Sequence, residues 1–191
     1  MADAERIELV GTREERWEQA IRLAYSDVTE KALGNFYSVY KEAGITPLPT
    51  AVELYKKYGG VFKTLRPVFG ESVHTSEFAW RFCSDLTFVY WAGRKYAVGM
   101  LKSLTAHINK VRKIAKQEVC PVGTFGYYYP PHVYIGEDGR FYCVYDYTDA
   151  VLVFDKLYEI VDQQIGDDPI MYLEPVPDDD EYDEDDEEED E

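Results

Sequence analysis

Two runs of aromatic and β-branched residues in the second half of the chain constrain its fold most strongly. They are HVYIG, residues 132–136, and FYCVYDY, residues 141–147. Residues of these types favour extended strands, and the segment Gly136-Glu137-Asp138-Gly139 between the runs favours a tight turn. The sequence therefore predicts a β-hairpin here.

Other segments predict further strands. VFKTLR, residues 61–66, and the alternating residues Phe78, Trp80 and Phe82 predict two strands joined by a loop around Gly70. VCPVGTFGYY, residues 119–128, predicts another strand. The segment LTFVYWAG, residues 86–93, fits either a strand or a buried helix.

Apolar periodicity predicts five helices between these strands. Thr12 with Glu15 and Thr50 with Glu53 have the spacing of capping boxes, in which each side chain caps the other residue's backbone N–H. The predicted helices begin near Thr12, run from about Asp27 to Gly44, run from Thr50 to a stop at Gly59 and Gly60, cover residues 106–117, and run from about Phe154 to Ile165. The fold class predicted is α+β, with a twisted, mainly antiparallel sheet packed by helices.

The net charge of −17 is concentrated at the C-terminal end. Glu174 and the acids of residues 178–191 supply fourteen of the 37 acidic side chains, with no Lys or Arg among them. Residues 1–173 then carry 23 acidic and 20 basic side chains, a net charge near −3. Because such an acidic run repels itself and has little to bury, residues 174–191 are predicted to be a disordered tail.

The composition also bears on cellular location. The N-terminal residues are charged from Asp3 onward, and no apolar run approaches the ~20 residues of a membrane helix. The three cysteines are odd in number, lack CxxC spacing and have apolar or aromatic neighbours, as buried free thiols do. A cytoplasmic protein without a membrane segment is expected.

The order of three short motifs resembles the SUKH superfamily. The motifs are Tyr58-Gly59-Gly60 after a helix, Pro121-Val122-Gly123 in a strand, and Asp138-Gly139 ahead of Phe141-Tyr142 in the hairpin. Each motif alone is common in turns, and their order and spacing carry the resemblance. It covers roughly residues 46–166.

The resemblance implies an α+β fold with a twisted sheet packed by helices, and no catalytic residues. Many members are bacterial immunity proteins that neutralise polymorphic toxins, and others are eukaryotic or viral regulatory proteins. The chain is accordingly divided into an N-terminal helical extension (1–45), a SUKH-like domain (46–173) and the acidic tail (174–191). The extension and the tail lie outside the resemblance.

No pattern typical of catalysis or metal binding stands out in the sequence. The histidines lack paired ligand spacing, the acids after the hairpin match no calcium loop, and the glycines form no phosphate loop. These residues are His74, His107 and His132; Asp146, Asp149 and Asp155; and Gly123, Gly126, Gly136 and Gly139. We therefore expect no enzyme activity, cofactor or metal; an enzyme would require a pocket in which Cys120 or His132 meets a carboxylate or base.

Two surface features are candidates for binding. Tyr127, Tyr128, Tyr129 and His132 form a cluster that fits a protein-binding surface, although alternation along a strand would bury about half of it. Residues 86–117 contain seven basic side chains and no acid. The solvated side of a helix explains this stretch better than a nucleic-acid surface or a face that holds the tail, so direct nucleic-acid binding is not expected.

The expected function is therefore that of an immunity protein that binds a cognate toxin. An acidic tail suits a basic toxin such as a nuclease, because opposite potentials speed encounter and carboxylates can mimic phosphates. The alternative is a SUKH-like regulatory adaptor that recruits a cellular protein and has no linked toxin.

Overall fold

The computed structural model describes residues 5–24, 28–58, 65–69, 79–82, 94–126, 131–165 and 169–173. Its helices are α1 Arg13–Ala24, α2 Glu30–Ala43, α3 Pro49–Tyr58, α4 Arg94–Leu104, α5 Ile108–Ala115 and α6 Leu157–Ile165, with a 3-10 turn Thr105–His107 between α4 and α5. Its strands are β1 Glu5–Ile7, β2 Leu65–Phe69, β3 Ala79–Phe82, β4 Val119–Gly126, β5 His132–Gly136, β6 Phe141–Val144, β7 Val151–Phe154 and β8 Pro169–Leu173.

The strands form two antiparallel sheets. The larger sheet has the order β3-β4-β5-β6-β7, and the smaller has the order β1-β8-β2. The predicted α+β class with antiparallel sheets and packing helices is confirmed. Of the two strands predicted around Gly70, the second corresponds to β3, whereas β2 shares only Leu65 and Arg66 with the predicted segment 61–66, and the two strands lie in different sheets.

The predicted hairpin is β5–β6. The N–H of Gly136 donates to the carbonyl oxygen of Arg140 (2.9 Å), and the loop between them ends in Gly139 at φ +80°. A glycine adopts this left-handed conformation without the penalty of a Cβ. The N–H of Asp138 also donates to the Gln117 side chain (3.1 Å), which holds the turn against the preceding segment.

The larger sheet is covered on both faces. Val133, Ile135, Phe141 and Cys143 point into a core shared with the helices α1, α2, α3, α4 and α6. On the opposite face, Tyr134, Tyr142 and Val144 pack against Val111 of α5. The alternation along each strand therefore buries side chains on both faces, which explains the nearly continuous apolar character of β5 and β6.

The N-terminal segment packs into the same core as the rest of the chain. Trp17 of α1 is fully buried, and its indole N–H donates to Asp162 of α6 (3.0 Å). Arg13 donates to the same carboxylate (2.7 Å), and β1 pairs with β8, Glu5 lying opposite Leu173. Residue 45 is therefore not a boundary between two separate cores.

The starts of the first three helices agree only in part with the sequence prediction. The capping box of Thr12 and Glu15 forms, with Oε2 of Glu15 accepting from the N–H of Thr12 (2.7 Å). Helix α2 begins at Glu30 with Thr29 as its N-cap and ends at Ala43 with Gly44 as its C-cap. The capping box predicted for Thr50 and Glu53 is wrong, because α3 already begins at Pro49.

The closing helix is also shorter than predicted. Phe154 ends β7, and α6 begins only at Leu157. The carboxylate of Glu159 accepts from the N–H groups of Asp155 (2.9 Å) and Lys156 (3.0 Å), which fixes the start of the helix. None of the helices that the structure describes is both long and apolar enough to cross a bilayer.

Other predictions lie outside the described residues. They concern the stop at Gly59 and Gly60, the loop around Gly70, the segment 86–93, His74, Cys83, Tyr127, Tyr128, Tyr129 and the acidic tail 174–191.

Candidate functional site

A cleft of about 460 Å³ opens between α3, the β5–β6 hairpin and the start of α6. Its floor is apolar, and each side chain there retains only a small exposed fraction, between 4% and 7%. The floor residues are Leu54, Tyr58, Ile135, Phe141 and Leu157. The cleft is thus a depression in the surface of the main core, the one that the larger sheet shares with α1, α2, α3, α4 and α6.

Charged side chains surround this floor. Glu18 and Glu53 contribute negative charges, and Lys57 and Lys156 contribute positive ones. Lys57 lies 3.7 Å from Glu18, with its ammonium 4.8 Å from the centre of the Tyr58 ring. An apolar centre with a charged, solvated rim is the usual anatomy of a protein-binding patch.

Residues from two of the three motifs that resemble the SUKH superfamily meet in this cleft. Tyr58 ends α3, while Gly139 and Phe141 belong to the hairpin some eighty positions later in the chain, and all three line the cleft. The hydroxyl of Thr50 donates to the carbonyl oxygen of Gly136 (2.8 Å) and fixes α3 against the hairpin. Thr50 therefore joins α3 to the hairpin and does not cap the helix.

The Pro121-Val122-Gly123 motif has a structural role. The register between β4 and β5 shifts between Pro121 and Gly123, which places a bulge there. A bulge is one of the few positions inside a sheet that accommodates proline. Val122 is buried in the main core, and the Tyr40 hydroxyl donates to the Pro121 carbonyl oxygen (2.6 Å), so the bulge anchors α2 to the sheet.

The tyrosine-rich binding surface predicted from the sequence is described only in part. His132, half-buried at the start of β5, is its single described member. Among the tyrosines after the hairpin, Tyr145 is buried at 6% exposure whereas Tyr147 is 70% exposed. Their rings lie 5.2 Å apart between centroids.

Two histidines without characteristic spacing in the sequence come together in the fold. The rings of His107 and His132 lie 5.8 Å apart between centroids, and a carboxylate oxygen of Asp146 is close to both. Burial lowers the pKa of His132, the Asp146 carboxylate opposes that shift, and His107 reinforces it. His132 and the Asp146 carboxylate are thus neighbours, but His132 does not line the cleft described above, and a neighbouring His–Asp pair alone does not define a reaction.

The described cysteines lack the surroundings of nucleophiles. Burial raises the pKa of Cys120 to about 11, against smaller opposing effects of hydrogen bonds with Leu48 and Tyr40. Burial also raises the pKa of Cys143. A nucleophilic cysteine needs a lowered pKa, so the predicted buried, free thiols are confirmed at these two positions.

The seven basic side chains of residues 86–117 lie along α4 and α5 and just after α5. Three of them form ion pairs, Arg94 with Glu42 (2.8 Å), Lys110 with Asp149 (3.7 Å) and Arg112 with Glu118 (2.6 Å). Four exposed lysines have no ion-pair partner among the described residues: Lys95, Lys102, Lys113 and Lys116. This arrangement fits the solvated helix face favoured from the sequence.

Comparisons with known proteins do not extend these observations. No family model matches the chain, and no curated protein or solved structure matches it. The SUKH resemblance therefore stays a prediction.

Proposed function

We propose that this chain is a cytoplasmic immunity protein of the SUKH type, which binds and neutralises a cognate polymorphic toxin. The observation that carries the proposal is the convergence of motif residues on one apolar cleft. Tyr58 and the hairpin residues Gly139 and Phe141 are distant in sequence and line the same surface depression. Binding requires such a preformed surface and no catalytic group.

The cleft suits a partner that inserts an apolar side chain and surrounds it with polar contacts. Its floor is continuous with a rigid core, so little conformational entropy is lost when it is covered. The rim carries charges of both signs, with Glu53 71% exposed at its side chain. Such a rim favours a specific orientation of the partner more than it adds affinity.

Co-expression with the toxin encoded beside its gene tests the function. The chain is expected to restore growth to cells that produce the toxin and to co-purify with it. Absence of both rescue and complex would refute the immunity function. Rescue would not by itself identify the contact surface.

A variant that fills the cleft mouth tests the surface. Glu53→Trp places a bulky side chain at an exposed rim position without altering the floor, and toxin affinity is expected to fall at least ~10-fold, as for loss of an interface hot spot. Lys113→Trp is the matched control, because exposed Lys113 lies on α5, which covers the opposite face of the sheet. Equal toxin affinity of the two variants would exclude the cleft while leaving the immunity function intact.

A regulatory adaptor is the alternative to be distinguished by the same experiment. It would use the same cleft for a cellular protein and would need no toxin gene nearby. A complex with a cellular protein that Glu53→Trp disrupts, together with failure of toxin rescue, would favour the adaptor.

A further inference from the structure

Three potential metal ligands come from three separate elements and meet on the α5 side of the larger sheet. His107 ends the 3-10 turn before α5, His132 begins β5, and Asp146 lies two residues beyond the end of β6. One ligand atom from each residue lies within 4.8 Å of the others. Two imidazoles and one carboxylate are a ligand set that transition-metal dications use.

The fold holds this cluster together through well-packed neighbours. The Tyr134 hydroxyl donates to the Leu104 carbonyl oxygen, which fixes the end of α4 against β5. Because His107 lies three residues after Leu104 and His132 two residues before Tyr134, this bond brings the two histidines to the same place. Lys110 pairs with Asp149 and joins α5 to the loop that carries Asp146.

One ring nitrogen of His132 is buried and has no hydrogen-bond partner among the described residues. Nδ1 of His132 makes no hydrogen bond to any residue that the structure describes, although it is inaccessible to solvent. Buried polar atoms in folded proteins are nearly always satisfied, so this nitrogen requires an explanation. A metal ion in the cluster would accept a lone pair from a neutral imidazole.

We propose that His107, His132 and Asp146 form a binding site for a first-row transition-metal dication, with Zn²⁺ as the best fit. Zinc binds nitrogen and carboxylate oxygen at roughly 2.0–2.2 Å, so tetrahedral ligand atoms stand roughly 3.3 Å apart. The three ligand atoms lie within 4.8 Å of one another, so modest side-chain rotations would bring them to this spacing, and Asp146 is exposed and able to rotate. Calcium and magnesium prefer oxygen ligands alone and do not suit two imidazoles.

The proposed site has three protein ligands and is therefore open. A fourth position is left for water or for a side chain of a bound protein. Metal binding would also connect the start of α5 to the strand β5 and to the loop after β6. The site is separate from the cleft, which faces the opposite side of the larger sheet.

Titration of the chelator-treated full-length chain with Co²⁺ tests this site. The wild type is expected to bind one Co²⁺ per chain, with visible absorption bands of low coordination number that Zn²⁺ removes by competition. Asp146→Asn, at an exposed position, and His107→Gln are each expected to weaken binding at least ~10-fold. Asp155→Asn, at an exposed described position after β7 and outside the cluster, is the matched control and should bind as the wild type does.

Two further measurements keep the result unambiguous. Circular dichroism of each variant checks that the fold persists, and saturating Zn²⁺ should raise the Tm of the wild type but not that of His107→Gln. The carboxylates of residues 178–191 would bind Co²⁺ without the low-coordination bands and equally in every variant. Wild-type affinity and spectrum in both His107→Gln and Asp146→Asn, or no such bands in the wild type, would overturn the proposal.

Discussion

At the scale of single residues, burial determines the chemistry of the cysteines. Cys120 and Cys143 are exposed by 1% or less, and no positive charge contributes to the causes of their raised pKa values. Because the thiolate is the reactive form, thiols with pKa values so far above neutrality are inert. Their apolar neighbours in the sequence are sufficient to predict this behaviour.

A thiol-labelling experiment measures this inertness. In a Cys83→Ser variant, Cys120 and Cys143 are expected to remain unlabelled by a disulfide reagent at pH 8 while the chain is folded. Both should react once denaturant unfolds the chain, because unfolding restores their ordinary pKa. Release of the reagent's chromophore counts the thiols in each state, and rapid labelling of folded protein would contradict the predicted protection.

The Thr–Glu pairs show what residue spacing cannot decide. Thr12 with Glu15 and Thr50 with Glu53 have identical spacing, and only the first pair forms a capping box. Proline is favoured at the first helical position, so Pro49 starts α3 and places Thr50 inside the helix. The hydroxyl of Thr50 then finds Gly136, eighty-six positions away, which no local pattern reveals.

At the scale of elements, helix α2 depends on its two ends. Thr29 caps its first turn by accepting from the N–H of Ala32 (3.1 Å), and Gly44 ends it at φ +77°. The sequence predicts the end at Gly44, because glycine is a preferred left-handed C-terminal residue, whereas the predicted start near Asp27 gives way to Thr29, a residue type preferred at the N-cap. The helix also contains Gly34, which is exposed and has open space around its Cα.

A pair of glycine-to-alanine substitutions in α2 should have opposite effects. Gly44→Ala is expected to lower the free energy of unfolding by ~1 kcal/mol, because a Cβ is unfavourable at positive φ. Gly34→Ala should raise it by as much as ~1 kcal/mol, because alanine is the better helix former and meets no neighbour. Urea unfolding of both variants measures the difference, and a Gly44→Ala variant at least as stable as the wild type would show that the left-handed conformation at Gly44 is not required.

The strands missed by the sequence prediction share a physical cause. β7, VLVF, is apolar and only Asp155 and Lys156 separate it from the apolar pattern LYEIV, so its pattern merges with that of α6. β1 and β8 are short, and each is stabilised by a strand from the other end of the chain. Strand pairing of this kind depends on tertiary contacts and leaves a weak local signal.

In the whole molecule, dependence on tertiary contacts also explains why the cleft and the histidine cluster could not be predicted from the sequence. The hairpin and α3 are each predictable, yet the cleft arises only when α6 and α1 close beside them. His107, His132 and Asp146 have no ligand spacing along the chain, and only the packing of α5 on the sheet brings them together. A site whose residues come from distant segments has no characteristic spacing in the sequence and therefore cannot be recognised from it.

The uneven distribution of charge along the chain predicts that the acidic tail acts on association and not on stability. Deleting residues 178–191 removes thirteen acidic side chains from a chain whose first 173 residues are nearly neutral. The Tm is expected to stay nearly unchanged, because the described core ends at or before Leu173 and the tail has few apolar groups to bury.

If the partner is a basic toxin, its association rate with the shortened chain should fall ~10-fold or more at ~10 mM salt and converge with that of the intact chain at ~1 M, where the Debye length is only ~3 Å. Differential scanning calorimetry and stopped-flow binding measure the two quantities, and a large fall in Tm would show that the tail packs against the domain.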